Sequence, residues 1–537
     1  MKQSLLTIII GWLFVMGYTN ALAVNYPPNN INVQIDSTNL PIVWIDVNGI
    51  AIDRDYKITG RMKIINNGEG KLNYADTVNH PNQNIDYSGY IAIRYRGHSS
   101  FNYSDKKPYT FDTMEGPLEE GSKKKKVSLL GMGKDNKWGL LAPFSDRSLI
   151  RDILAFQIAR PWMEFTPKGK YCELYLDGTY YGVFLLTELV SKGKYRTNLD
   201  DPGDEGDSLT GGYIMQVDRA DEIVYVSKYH PVRNNGTSIQ YHFISFQYKS
   251  PDYDEITPEQ KAYITGHINE MEATFASDDY QNLETGYRKY IDIMSFIDYQ
   301  LVMEVAHSVD AYRLSSKFYK RRDSIDPRFK MAIWDLNIGF GNANFYDGWR
   351  TDTWIHESNN LMLSEGEGYL IPFWWYKLNN DPNYTALLKD RWRQYRRNNL
   401  RDDRIMATID SLTSILTSHD AEKRNSKAWP RWGKYIWPNY HIPTNYADEI
   451  SFLKQWIMDR IAWMDQELGY DPDNYLRGDV DGDDKVNIDD LTALIDLLLI
   501  GQGYGIEQAD VNYDGKVDID DISSLIDYLL TERWADS

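Results

Sequence analysis

The 537-residue chain is long enough for two or three domains with a sizeable core. Its 42% apolar and 25% charged residues are those of an ordinary globular protein, which excludes global disorder. A formal charge of −20 argues against a nucleic-acid partner, and a single cysteine, Cys172, excludes an intramolecular disulfide.

Lys2, the apolar run 5–16 and Ala21-Leu22-Ala23 predict a secretory signal peptide over 1–23. No later stretch reaches membrane-spanning length, so the expectation is a soluble, exported protein without a transmembrane segment. Residues 24–38 form a Pro/Asn-rich leader. PIVWIDV, YKITGRMKII and YIAIRYRG then alternate or run apolar at strand length, with Asn66-Asn67-Gly68 as a turn, and predict a β-rich start over 39–115. RGHSSFNYSDKKPYTFD reads as strand, small-residue turn and strand, with Arg96 at its entrance and Lys107 on its return.

Asp146 opens a predicted helix with apolar positions at Ile150, Ile153, Leu154, Ile158 and Ala159, stopped by Pro161. Residues 171–188 predict a hairpin turned at Asp177-Gly178, with Cys172 as a buried thiol. An acidic loop spans 200–212, and GGYIMQVD is the next strand. Helical spacing follows over 258–275 and 295–307, and again near 382–397, 402–418 and 445–467. Between them IPFWWYKL (371–378) reads as aromatic cover for the core.

The stretch 302–342 carries the chemistry. Its helical spacing ends near His307, Asp310 follows, 317–320 is extended, RRDSIDPRF is a polar turn, and KMAIWDLNIGFG runs apolar into glycines. Two strands joined by that turn bring Asp310 and Asp335 to one end of the pair. Phosphoryl transfer needs one carboxylate on the attacking hydroxyl and another on Mg²⁺. Helix caps and turns place aspartates in the same way, so spacing leaves both readings open.

The segments IAIRYRGHSSFNYSDKKPYTF, SLLGMGKDNKWGLLAPFSDRSLIRDILAFQIA, CELYLDGTYYGVFLLTELV, GGYIMQVD, VDAYRLSSKFYK and AIWDLNIGFG occur in an order that resembles the CotH kinase family, over roughly residues 40–467. The resemblance implies an α+β fold: an atypical, two-lobed protein-kinase-like domain over 39–466. It implies that Asp310 orients the nucleophile and Asp335 binds Mg²⁺, with Arg96 and Lys107 on the phosphates of ATP and Glu188 beside the nucleotide. Asn337 stands where the family has a second acid, and supplies a carbonyl oxygen without charge.

After a polar linker (467–478), residues 479–521 hold 13 acidic residues against two lysines. GDVDGDDKVNIDDLTALIDLLL and ADVNYDGKVDIDDISSLIDYLL repeat at an offset of 31 residues. Oxygen-bearing residues at positions 1, 3, 5 and 12 form the calcium-loop pattern: Asp479, Asp481, Asp483 and Asp490, then Asp510, Asn512, Asp514 and Asp521. Lys485 and Lys516 supply position-7 carbonyls. Asp484 replaces the usual position-6 glycine and is expected to take its left-handed backbone. A loop followed by one amphipathic helix, twice, resembles a type I dockerin over 479–533. That implies two structural Ca²⁺ ions and docking onto a cohesin-bearing scaffold, with the partner read at Ile488-Asp489 and Ile519-Asp520.

Two readings follow. One is an exported, scaffold-attached kinase that phosphorylates Ser or Thr of a protein substrate. The other is a catalytically weak or inactive kinase-fold adhesion or scaffold-associated protein, part of a cellulosome-type polysaccharide-degrading assembly.

Overall fold

The computed structural model describes residues 25–220, 224–471, 476–500, 506–514 and 516–534; the predicted signal peptide lies outside them. The chain divides into two compact units. Unit one holds the residues up to Phe144, Gly169–Leu189 and Ile415–Trp432; unit two holds Ser145–Lys168, Val190–Ser414 and the residues from Gly433 on.

Unit one is a closed barrel of seven strands: β1 (Ile42–Asp46), β2 (Ile58–Ile65), β3 (Ile85–Tyr95), β4 (Tyr109–Met114), β5 (Lys137–Leu141), β6 (Gly169–Leu176) and β7 (Thr179–Glu188). They are ordered β1-β2-β3-β4-β5-β7-β6, and β1 closes the ring by pairing parallel with β6, Ile42 opposite Glu173. The β-rich part therefore runs on to Glu188, past the expected limit at 115. The hairpin β6–β7 turns where the sequence places it. Asp177 and Gly178 have φ of 46° and 78°, the paired positive φ of a turn that matches strand twist. Cys172 is fully buried in β6, and its thiol pKa is pushed up to about 12 by burial.

Unit two is built on the antiparallel sheet β8 (Tyr213–Val217), β9 (Val224–Val226), β10 (Ser245–Ser250), β11 (Ser316–Lys320) and β12 (Phe329–Ala332), in the order β9-β10-β8-β11-β12. Its helices are α1 (Arg151–Ala159), α2 (Pro258–Ala276), α3 (Ile293–Ala306), α4 (Phe373–Asn379), α5 (Pro382–Arg397) and the long α8 (Tyr446–Leu468). Between the last two come α6 (Asp402–Thr417) and, in unit one, α7 (Ala421–Ala428). A capping box closes the start of α2, where Thr257 accepts from Gln260 N–H and the Gln260 side chain answers.

On one face of the sheet, Phe246 and Phe318 meet edge-to-face, with Phe246 stacked on Trp374; Trp375 packs against Phe296 and Tyr299 of α3. IPFWWYKL is thus core cover, as its aromatics imply. The start of α1 differs from expectation. Leu149 adopts φ +66°, so the helix begins at Arg151, while Asp146 accepts from the backbone N–H of both Ser148 and Arg151.

The C-terminal helices α9 (Ile488–Ile500) and α10 (Ile519–Thr531) share a small core of Val480, Ala493, Leu494, Val511 and Leu525. Ile495 of α9 and Ile526 of α10 are 36% and 38% exposed.

Candidate functional site

Strands β11 and β12 pair antiparallel with Lys317 opposite Ala332. Asp310 precedes the first and Asp335 follows the second, so register alone carries both to one end of the pair. Helix α3 stops because His307 turns left-handed (φ 45°) and donates its N–H back to Glu304 O at 3.0 Å. Tyr312, Ser315, Asp335 and Phe340 also have φ between 51° and 71°. Such non-glycine outliers are costly and collect where surrounding structure over-determines them.

Asp310 is 24% exposed, and its pKa is pushed up to about 6. Burial is the main cause. The Arg313 guanidinium, 3.0 Å from Oδ1, pulls it down, and the Asp335 carboxylate pushes it up again. A carboxylate that titrates near neutrality is matched to accepting a proton from a hydroxyl. Arg313 is itself fixed, donating to Val309 O and to Glu367 at 2.7 Å.

Ser315 Oγ donates to Asp335 Oδ2 at 3.2 Å, and Ser315 N–H donates to Asp218 Oδ2 at 3.2 Å. Gln216 bridges Asp218 and Lys317. Asp218, at the end of GGYIMQVD, and Ser315, inside VDAYRLSSKFYK, are contacts that spacing did not single out.

Helix α1 holds the loop after Asp335. Asp152 Oδ1 accepts from Leu336 N–H at 2.8 Å, and Arg151 donates to Gly339 O at 3.2 Å. Arg151 is buried between Asp146 (2.7 Å) and Glu449 (2.6 Å), which satisfies its charge. Glu304 of α3 is fully buried. Burial alone pushes its pKa up, but His356 at 2.9 Å, Arg460 at 3.1 Å and the Ile355 N–H outweigh that and hold it down at about 2. A cavity of about 280 Å³ walled by Trp354, His356, Tyr376 and Lys389 also lies in unit two, and neither Asp310 nor Asp335 lines it.

Asn337 is half-buried, and its backbone carbonyl accepts from Asn342 Nδ2 at 2.8 Å. Asp335 and Asn337 are hard oxygen donors, the set a divalent magnesium ion takes. Arg96, Lys107 and Glu188 belong to unit one. Lys107 Nζ donates to Phe101 O at 2.5 Å and lies over the rings of Tyr26 and Phe101. Glu188 Oε1 accepts from Gly133 N–H at 3.1 Å, and the Arg96 guanidinium lies against Gly139 of β5.

In the C-terminal repeats, donor atoms of Asp479, Asp481 and Asp483 all lie within 4.8 Å of one another. Asp490 accepts from Val480 N–H (2.7 Å) and Asn487 N–H (2.7 Å), folding the loop over itself. The second loop repeats the pattern: Asp521 accepts from Asn512 N–H and Asp518 N–H, and Asp514 N–H donates to Asp510. Asp484 takes φ +63°, the left-handed turn expected of position 6. Ile488 and Ile519 are 64% and 71% exposed, and Asp489 and Asp520 are exposed beside them.

A family model described as CotH kinase protein matches residues 93–464. The chain belongs to the CotH kinase protein family. A second model, the type I dockerin domain, matches residues 477–530. No curated protein matches the chain. This is therefore a dockerin-bearing CotH protein. Type I dockerins bind calcium and attach their carriers to cohesins, and the hard-oxygen set of the first loop fits that ion. Among the described residues no helix is long and apolar enough to cross a membrane.

Proposed function

We propose that the CotH part is a Mg²⁺- and ATP-dependent protein kinase acting on Ser or Thr hydroxyls, with a two-lobed kinase-like architecture. It is exported and held on an extracellular scaffold through the dockerin. The observation that carries this reading is the pairing of Asp310 and Asp335 at one end of β11–β12, close enough that one carboxylate raises the pKa of the other.

Asp310 orients the acceptor hydroxyl and takes its proton, a role suited to a pKa near 6. Arg313 holds the Asp310 carboxylate in place. Asp335 and Asn337 supply oxygens to magnesium, which when bound with ATP neutralises charge on the transferred phosphoryl group. Arg96, Lys107 and Glu188 are the proposed nucleotide contacts. Serine and threonine are the proposed acceptors, as the resemblance to the CotH kinase family implies.

The test is phosphoryl transfer by the full chain to a pool of secreted proteins, read as phosphoserine and phosphothreonine by mass spectrometry. Transfer by the native chain that is lost in Asp310→Asn and in Asp335→Ala supports the reading. Equal labelling with all three chains sinks it and favours a non-catalytic, scaffold-associated binding protein.

A further inference from the structure

Helix α5 ends in two arginines that reach the first calcium loop. Arg397, 5% exposed, places Nη1 2.7 Å from Asp479 Oδ2, and Asp479 is fully buried. Its Nη2 lies 3.5 Å from Asp484 Oδ1, and Arg393 pairs with the other oxygen of Asp484. Asp479 is position 1 of the loop and Asp484 is position 6. The carboxylate that calcium needs first is thus already the partner of a buried guanidinium.

The sequence of the loop agrees with this docking. Position 4 is left-handed in both repeats, Gly482 at φ +82° and Tyr513 at φ +59°. At Gly482 a Cβ would lie 3.0 Å from Arg397 Cδ, so a side chain there crowds the arginine. The second loop accepts a tyrosine at the same position, and that tyrosine is 54% exposed. The two loops differ at positions 3, 4, 6 and 9, and two of these, Gly482 and Asp484, are residues that lie against α5.

We propose that Arg393 and Arg397 form a charge latch holding the first dockerin loop on α5, and that calcium entry into that loop opens it. Two guanidinium groups bring the same positive charge as one calcium ion to a loop of six acids and one lysine. An ion at Asp479, Asp481 and Asp483 meets Arg397 across a single carboxylate, so each cation weakens the hold of the other. Linkage makes the antagonism reciprocal: docking lowers calcium affinity by the factor by which calcium loosens docking. Calcium then sets the freedom of the module as well as its fold. This inference rests on the dockerin assignment and is independent of the kinase reading.

The test is calcium titration calorimetry on the full chain carrying Asp521→Asn, which confines the readout to the first loop. Arg397→Gln, and separately the more exposed Arg393→Gln, are expected to tighten calcium binding, roughly ten-fold for the first. The reciprocal measurement is hydrogen exchange over residues 390–397, which should quicken when calcium is added to the native chain and be quick from the start in Arg397→Gln. Calcium affinity unchanged or weakened in both arginine variants, or exchange over 390–397 that calcium leaves alone, overturns the latch.

Discussion

Replacing Asp310 by asparagine removes a charge that the fold holds at a cost. Its pKa rises from 3.8 to about 6, so the neutral form is favoured in the folded chain by roughly 3 kcal/mol. A raised acid contributes stability that is full below pH 4 and is lost as pH climbs through 6. The native chain should therefore weaken between pH 4 and 7 in a way that Asp310→Asn does not. The two should melt together at pH 4, and the variant should melt higher above pH 7, by on the order of 5 °C for a unit of this size. Activity is expected to fall at the same time, because the penalty is the one that makes Asp310 a useful base. The assay is thermal unfolding at half-unit steps from pH 4 to 8. A difference in midpoint that stays constant across that range refutes the argument, since it would mean that Asp310 ionises as easily folded as unfolded.

Glu304→Gln strands the buried Arg460 and should destabilise unit two by about 3–5 kcal/mol. The native Glu304 carries the opposite sign to Asp310, with stability present above pH 4.5 and lost as pH falls toward 2, so acid unfolding followed by fluorescence should lose that limb in the variant. Asp152→Asn leaves every catalytic group in place but loosens the Leu336 N–H anchor; MgATP affinity by titration should drop about ten-fold with the melting temperature within a few degrees of native. Chelation of calcium should weaken the circular-dichroism signal of α9 and α10 and leave the CotH part folded, with the first loop still held on α5 by Arg393 and Arg397, because a core of a few aliphatic side chains only partly offsets a local net charge of −11.

What sequence made legible were features that local chemistry dictates. The Asp177-Gly178 turn, the left-handed Asp484, the helices at 258–276 and 382–397, and the convergence of Asp310 with Asp335 all follow from patterns of fewer than thirty residues. What was illegible needed distant partners. The barrel closes through a parallel pairing of β1 with β6, whose paired residues are more than 120 positions apart, and no periodicity announces such a match. Asp152 and Asp218 serve the site through hydrogen bonds to residues roughly 100 to 180 positions away, so neither stands out in its own segment. The start of α1 departs from Asp146 for a related reason: its carboxylate does bind the N–H of the first helical residue, but across a strained Leu149 that delays the helix.

The most direct measurement of the central claim is calorimetric titration of ATP into the full chain, with and without magnesium, repeated on Asp335→Ala and Asp310→Asn. The account predicts saturable, magnesium-dependent binding in the native chain, loss of that binding in Asp335→Ala and its survival in Asp310→Asn. Identical heats for the native chain and Asp335→Ala, or no binding at millimolar MgATP, would contradict it.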